Sequence, residues 1–460
     1  MAILETILST LSFIFVLAAA CVSPWLFGAW EMWWFWPFAV CVFAAALCFG
    51  IRLVAGGSPL RSHRLRFSAA GTTTAVCFAV FVAYAWVRAW QTPVYMDAER
   101  SLLLFATPLL LAGVIAIGFS RAQLRALYLA VALNLLCLGL YGIVNHRITG
   151  SSRVLWVQTT FTQYSGRATG AYFCPDHYSG LMELLLALAI GILLTPYASG
   201  SRRLAGYTWK FVAAFAAVVA LYGVWLSQSR GGGLTVLAML SVAGLVWTAG
   251  FKPAVRWGIR LGGLAACVAL LVIAWSSGSA YVGRFKEFTP SGASTFDEAR
   301  RQATDRIMDN PRYGMYSAAV RAWREVGPWV GIGPGMHQHL WFHYAASPDG
   351  DRAKGIWPTR PNAEAHSHQV HNDWLQLLEE YGIIGAVLFS AMAGSLLIVL
   401  IKGYRSGTKP AVTLGAILCF TAMALHSLVD FNLQIPATTW IFSSVLAAAF
   451  AFIQRAHGPT

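Results

Sequence analysis

About twelve hydrophobic runs long enough to cross a bilayer follow one another along this chain, and that repetition leaves few folds open to it. The runs cover roughly 7–28, 35–55, 67–87, 101–119, 123–144, 178–196, 208–228, 232–250, 258–276, 383–401, 411–429 and 435–454. A run of about 20 apolar residues spans the hydrocarbon layer as a helix, whereas a transmembrane barrel would show short alternating segments, and none is visible. Of the 460 residues 57% are hydrophobic and 11% charged, against about a quarter charged in a soluble domain. An all-α polytopic membrane protein is expected. Its parts are scaffold helices over 1–144, helices 6 to 9 with arginine-bearing outer loops over 145–276, a large and mainly helical loop over 277–382, and helices 10 to 12 over 383–460.

The net charge of +14 could suggest nucleic acid, but its distribution argues for a membrane instead. With the N-terminus cytoplasmic, the inner loops hold Arg52, Arg61, Arg121, Arg202, Lys252, Lys402 and further lysines and arginines, and their only acid is Glu5. Such a bias places both termini in the cytoplasm and the long loop outside, with Trp25, Trp30, Trp33, Trp34, Trp36, Trp86 and Trp90 as an outer aromatic belt. The eight cysteines fall mostly inside the runs, so no disulfide framework is implied. Glu5 and the lack of Lys or Arg before the first run favour an uncleaved first helix over a signal peptide.

The polar residues gather on the outer side. Arg167 lies in GRATGAYFCPDHYSG (166–180), which leads into a span whose Glu183 needs a partner to be tolerated at that depth. SQSRGGGL (227–234) sets Arg230 before a helix N-terminus, where the dipole and a guanidinium fork suit a phosphate, beside glycines that would let a ligand approach. In the large loop, Thr295 begins a polar helix stopped by Pro311, and a second helix from about Met315 to Gly327 carries Arg321 and Arg324. WVGIGPGMHQHLWFH (329–343) turns on glycines, 344–365 reads as an exposed excursion, and HSHQVHNDWLQLLEEYGIIG (366–385) puts three histidines before an amphipathic helix stopped by Gly382 and laid along the membrane surface. His426 and Asp430 close the set, one turn apart.

Fixed positive charge for an anionic leaving group, together with a titratable histidine as base, suggests transfer from a phosphate-activated lipid. The residues themselves do not choose among His366, His368 and His371. HSHQVH and HQHLWFH bring histidines close enough to ligate zinc, but neither has the HExxH spacing, and no metal or other cofactor is expected. A transporter would want ionisable groups near the midplane, and apart from Glu183 the spans are clean.

The SRGG turn, the RAW element at 321–323, the GIGPG element, the HNxxLQxxxExGxxG run at 371–385 and HSLxDxxxxIP at 426–436 resemble, in order and spacing, the bacterial O-antigen ligase and polysaccharide polymerase superfamily. The likeness covers roughly 167–436, and where the family has a Pro-Asn element this chain reads Pro175-Asp176. The resemblance implies an inverting, metal-independent glycosyltransferase of the helical GT-C type. It would take glycan from undecaprenyl pyrophosphate at the periplasmic face of the bacterial inner membrane and pass it to a sugar of lipid A-core. Polymerisation onto a second lipid-linked glycan is the main alternative, with protein O-glycosylation or transport of the lipid-linked glycan less favoured. The resemblance also implies that His371 is the base and that Arg230 and Arg321 are the catalytic arginines, with Arg167 a further candidate; Glu183, His368, Asn372 and Asp430, from the convergence on the outer face, are read as binding or supporting the substrates.

Overall fold

Helix after helix crosses the molecule end to end in the computed structural model, which describes residues 2–55, 68–159, 162–195, 203–249, 251–263, 280–286, 292, 295–308, 311–345 and 367–456. The crossing helices are α1 (Ala2–Leu17), α2 (Met32–Val54), α3 (Ala69–Trp90), α4 (Tyr95–Gly113), α5 (Arg121–Thr149), α6 (Pro175–Leu193), α7 (Arg203–Ser227) and α8 (Arg230–Thr248). Three loop helices follow a short α9 (Ala280–Lys286): α10 (Phe296–Met308), α11 (Pro311–Val326) and α12 (His337–Ala345). The chain returns as α13 (Asp373–Arg405), α14 (Pro410–His426) and α15 (Pro436–Ala456). Among the described residues ten helices have the length and apolar character of a span, and α14 is a shorter apolar helix beside them. The protein is an all-α, multi-pass membrane protein. Its only described sheet is a two-residue hairpin pairing Arg153–Val154 with Val157–Gln158. Helical residues 253–263 open the ninth expected span; the rest of that span lies outside the described residues, as do His366 and nearly all of the 344–365 excursion.

Local chemistry sets the helix ends. Ser120 and Gln123 form a reciprocal capping box at the start of α5, and Ser68 and Ser229 accept the first free N–H groups of α3 and α8. In the loop, Thr295 caps α10 through the Glu298 N–H, and Pro311 opens α11 rather than only closing the helix before it. One end of the bundle is basic: Arg52 donates to the Gly118 carbonyl and Arg121 to that of Arg455. The other end gathers the starts of α2, α4, α6, α8, α13 and α15, and it holds the loop helices.

The helix from Asp373 does not lie along a surface. Its buried side is largely polar, comprising Asp373, Gln376, Glu379 and Glu380 with Leu377 and Tyr381, while Trp374, Leu375 and Leu378 are half-buried. At Gly382 (φ 66°, ψ −172°) the helix breaks, then resumes at once as the span. A break leaves backbone groups unpaired in an apolar setting. The loop 328–333 pairs them: the Glu379 and Glu380 carbonyls accept from the Ile332 and Gly333 N–H groups, and Ile383 and Ile384 donate to the Pro328 and Trp329 carbonyls. Arg88 of α3 holds the same loop through the Val330 and Gly331 carbonyls. GIGPG and EYGIIG are thus two halves of one backbone joint.

A Cβ at Gly382 would overlap the Trp329 carbonyl, in a backbone region that only glycine populates readily. Gly382→Ala is expected to cost about 3 kcal/mol or more, read as a lowered melting temperature of the detergent-solubilised protein. An unchanged melting temperature would contradict the joint.

Candidate active site

Asp430, in the bend between α14 and α15, is the centre of the site and 1% exposed. Its Oδ1 lies 3.2 Å from His371 Nδ1 and its Oδ2 3.9 Å from His177 Nε2. A carboxylate only accepts, so His371 carries its proton on Nδ1 and offers Nε2 as the basic nitrogen. Phe431 stands between the two imidazoles, its ring edge-on to His177 at 4.6 Å and to His371 at 4.7 Å. Burial opposes the Asp430 charge, but the hydrogen bond from His371 and the charges of His177 and Arg312 hold its carboxyl well below the usual carboxylate range.

His371 is held in place from three sides. Its φ of 58° puts a non-glycine residue in the left-handed region, where strain persists only if the surroundings enforce it. Tyr316 of α11 donates to its carbonyl at 2.9 Å, and Asn372 caps α13 by accepting the Leu375 N–H. The Asp373 N–H then donates to the Ser427 carbonyl, tying the segment to the end of α14. The His371 side chain is 29% exposed, enough for a substrate to reach it.

Beside the dyad, two arginines share one carboxylate. Asp176, in the first turn of α6, lies 3.1 Å from Arg167 and 3.7 Å from Arg312, the second residue of α11. Arg167 also donates to the Ser227 carbonyl and Arg312 to that of Val429, so both are fixed to the ends of spans. Burial works against the Arg312 charge, but Asp430 and Asp176 outweigh it and keep the guanidinium above its ordinary pKa. Arg230 donates to the Arg284 carbonyl of α9, and Arg284 to that of Gln228, which closes α9 over the start of α8. The glycines after Arg230 admit the protein itself: a Cβ at Gly232 would overlap the Ser179 hydroxyl, one at Gly231 would crowd Val429, and one at Gly233 would overlap Tyr281. They serve close packing of α8 rather than approach of a ligand.

Glu183 finds its partner in His426, whose Nδ1 lies 2.8 Å away, with Ser179 donating at 3.2 Å. Both members are buried, 1% exposed each. Removing one side of such a pair strands the other, at about 3–5 kcal/mol. His426→Ala is therefore expected to lower thermal stability strongly and Glu183→Gln/His426→Ala to recover most of the loss; if the single and double variants melt alike, the charge is not what the pair compensates.

The structure brings His371, Asp430 and Arg167 together and sets Arg230 on the neighbouring helix end. Arg321 stands elsewhere. It donates to the Tyr344 carbonyl, nine residues beyond Arg312 on α11 and so about 14 Å along the axis. His368 is exposed and bonds Gln338 at 3.0 Å. Residues that the sequence reading passed over are His177, Arg312 and Arg284, and it gave Asp176 no role. Two adjacent ionisable residues in the first turn of an apolar span were the available signal for Asp176 and His177; Arg312 is one of several arginines in a polar loop, and nothing local marks it out.

Cys174, His177 and Asp430 offer ligand atoms within 4.8 Å of one another, the geometry of a metal site. Burial, with Asp176 and Asp430 nearby, pushes the Cys174 thiol up to about 12, so a metal bound there would have to displace its proton. A zinc site uses the thiolate.

No curated protein matches the chain. The O-antigen ligase family model matches residues 215–390, which run from α7 through Arg230, Arg312 and His371 into α13, so this part of the chain is similar to the O-antigen ligase family.

Proposed function

We propose that this protein is a metal-independent, inverting glycosyltransferase of the bacterial inner membrane, an O-antigen ligase that moves glycan from undecaprenyl pyrophosphate to a sugar of lipid A-core on the periplasmic side. The observation that carries the reading is the His371–Asp430 dyad standing beside the arginines of Asp176. An acceptor hydroxyl attacks the anomeric carbon; its proton passes to His371 Nε2 as the new C–O bond forms. The bond from that carbon to the pyrophosphate breaks on the opposite face, and its electron pair leaves on undecaprenyl pyrophosphate. Asp430 stabilises the imidazolium. Arg312, Arg167 and Arg230 meet the charge that develops on the leaving group, and because their carbonyl and carboxylate partners fix them beforehand, little reorganisation is required. We assign to Arg312 the part that the family resemblance gave to Arg321, because Arg312 shares both carboxylates of the site. A lipid-linked substrate also fits the apolar cavity of about 300 Å³ that opens between α3, α4, α13, α14 and α15 beneath Trp374 and Leu433.

The test is transfer by purified protein in detergent, given undecaprenyl-pyrophosphate glycan and either lipid A-core or a second lipid-linked glycan, with and without EDTA. One product on lipid A-core, indifferent to chelator, is expected. A ladder on the lipid carrier would make the protein a polymerase, loss with EDTA would make it metal-dependent, and no new glycosidic bond would overturn the reading.

A further inference from the structure

A second polar recess lies close to His371, linked to it through Phe431. It is formed where the start of α4, the turn into α12 and the segment before α13 meet, and it is lined by Trp30, Asp97, Arg100, Gln338, His368 and Gln434 among others. Its chemistry differs from that of the arginine cluster. Its one arginine, Arg100, is already engaged, donating to the Trp30 carbonyl and lying 5.1 Å over the Trp30 ring. Asp97 is paired with His339 at 2.7 Å, and Glu380 lies deeper, bonded by Ser101 and Gln376. A pyrophosphate would meet carboxylates here without a cationic clamp. A sugar would meet side chains suited to it: amides that both donate and accept, as hydroxyls do, an imidazole, and the apolar surface of an indole for its C–H groups.

The recess is physically joined to the dyad. The Trp30 ring packs on Phe431 at 5.8 Å, and the same Phe431 ring packs on His371 at 4.7 Å. On the other flank Gln434 donates to Asp373, two residues after His371. Below, Leu104 borders both the recess and the apolar cavity, so polar lining passes into apolar lining along one wall. An amphipathic glycolipid matches that order.

We infer that this recess is the acceptor-sugar subsite, which rests on the glycosyl-transfer reading above. The sugar sits against Trp30, Gln338, His368 and Gln434 and presents its hydroxyl to His371, while the phosphate-bearing donor occupies the arginine side. Substituting Gln338 and His368, half-buried and exposed respectively, removes contacts with little threat to the fold.

The experiment is a pair of measurements on full-length protein in detergent. In transfer assays, Gln338→Ala/His368→Ala is expected to raise KM for the acceptor about tenfold, the size of one or two lost hydrogen bonds, while KM for the undecaprenyl-pyrophosphate donor stays unchanged. In saturation-transfer NMR with the lipid-free core oligosaccharide as probe, the sugar signals are expected to weaken in this variant and to persist in Arg230→Ala. A rise in donor KM instead, or unaltered acceptor KM and sugar signals, would overturn the subsite. The NMR arm needs no turnover, so sugar binding that responds to Gln338 and His368 in a protein without transferase activity would uphold the recess while rejecting the ligase reading.

Discussion

His371→Ala protein, folded and present in membranes at wild-type levels, is expected to lose about 10²–10⁴-fold in kcat while binding the donor as before. The reason lies in what the ring does and does not touch. Its Nδ1 faces Asp430, and the phosphate-binding groups we propose are on α8, on α11 and in the segment before α6, so removing the imidazole deletes the base and leaves the donor side intact. Asp430→Asn is the sharper form of the test. An amide is nearly the shape of a carboxylate, but it can turn its NH₂ towards Nδ1. The ring then protonates on Nε2 and ceases to be a base, at a cost of about 10²-fold or more. If His371→Ala kept kcat within tenfold of wild type, the dyad would be a structural pair and the base would have to be sought elsewhere.

Arg312→Ala is expected to lose about 10²–10³-fold in kcat, and Arg321→Ala to stay within about threefold of wild type, since Arg321 binds a loop carbonyl away from the dyad. Arg312→Lys separates charge from geometry. Lysine supplies the charge but cannot span Asp176 and the Val429 carbonyl with a planar fork, so only partial recovery is expected. Steady-state kinetics of the three variants decide the matter. A deep loss in Arg321→Ala with a mild one in Arg312→Ala would reverse the assignment.

The membrane architecture was legible because hydrophobic length is a one-dimensional property: the described spans fall where the apolar runs are, and the break at Gly382 was marked by its glycine. The need of Glu183 for a partner followed from its depth, and His426 supplies it. The pairing itself was not legible, because His426 is 243 residues away and no local pattern selects it over other histidines. The same limit hid Arg312. Its identity as a site residue comes from where α11 docks against α6 and the Val429 turn, which is a tertiary fact. The helix after His371 misled for a related reason. Its apolar stripe suggested a surface helix, but a buried polar network holding Asp373, Gln376 and Glu380 outweighs that stripe once the 328–333 loop covers it.

The burial of α6 carries over to how the protein is made. This helix has the lowest mean hydropathy of the described spans, 1.3, and 83% of it is buried. Asp176, His177 and Glu183 all lie on it. The ribosome therefore releases the least greasy segment near the middle of synthesis, while the partners of Glu183 and His177, on α14 and in the Asp430 turn, arrive only near the end. For that interval Glu183 has no His426, and a carboxyl in lipid keeps its proton or borrows another donor. Completion of the site thus waits for the last part of the chain, and a chain cut short before α14 keeps Arg167 and Arg312 for Asp176 but lacks His426 for Glu183 and Asp430 for His177.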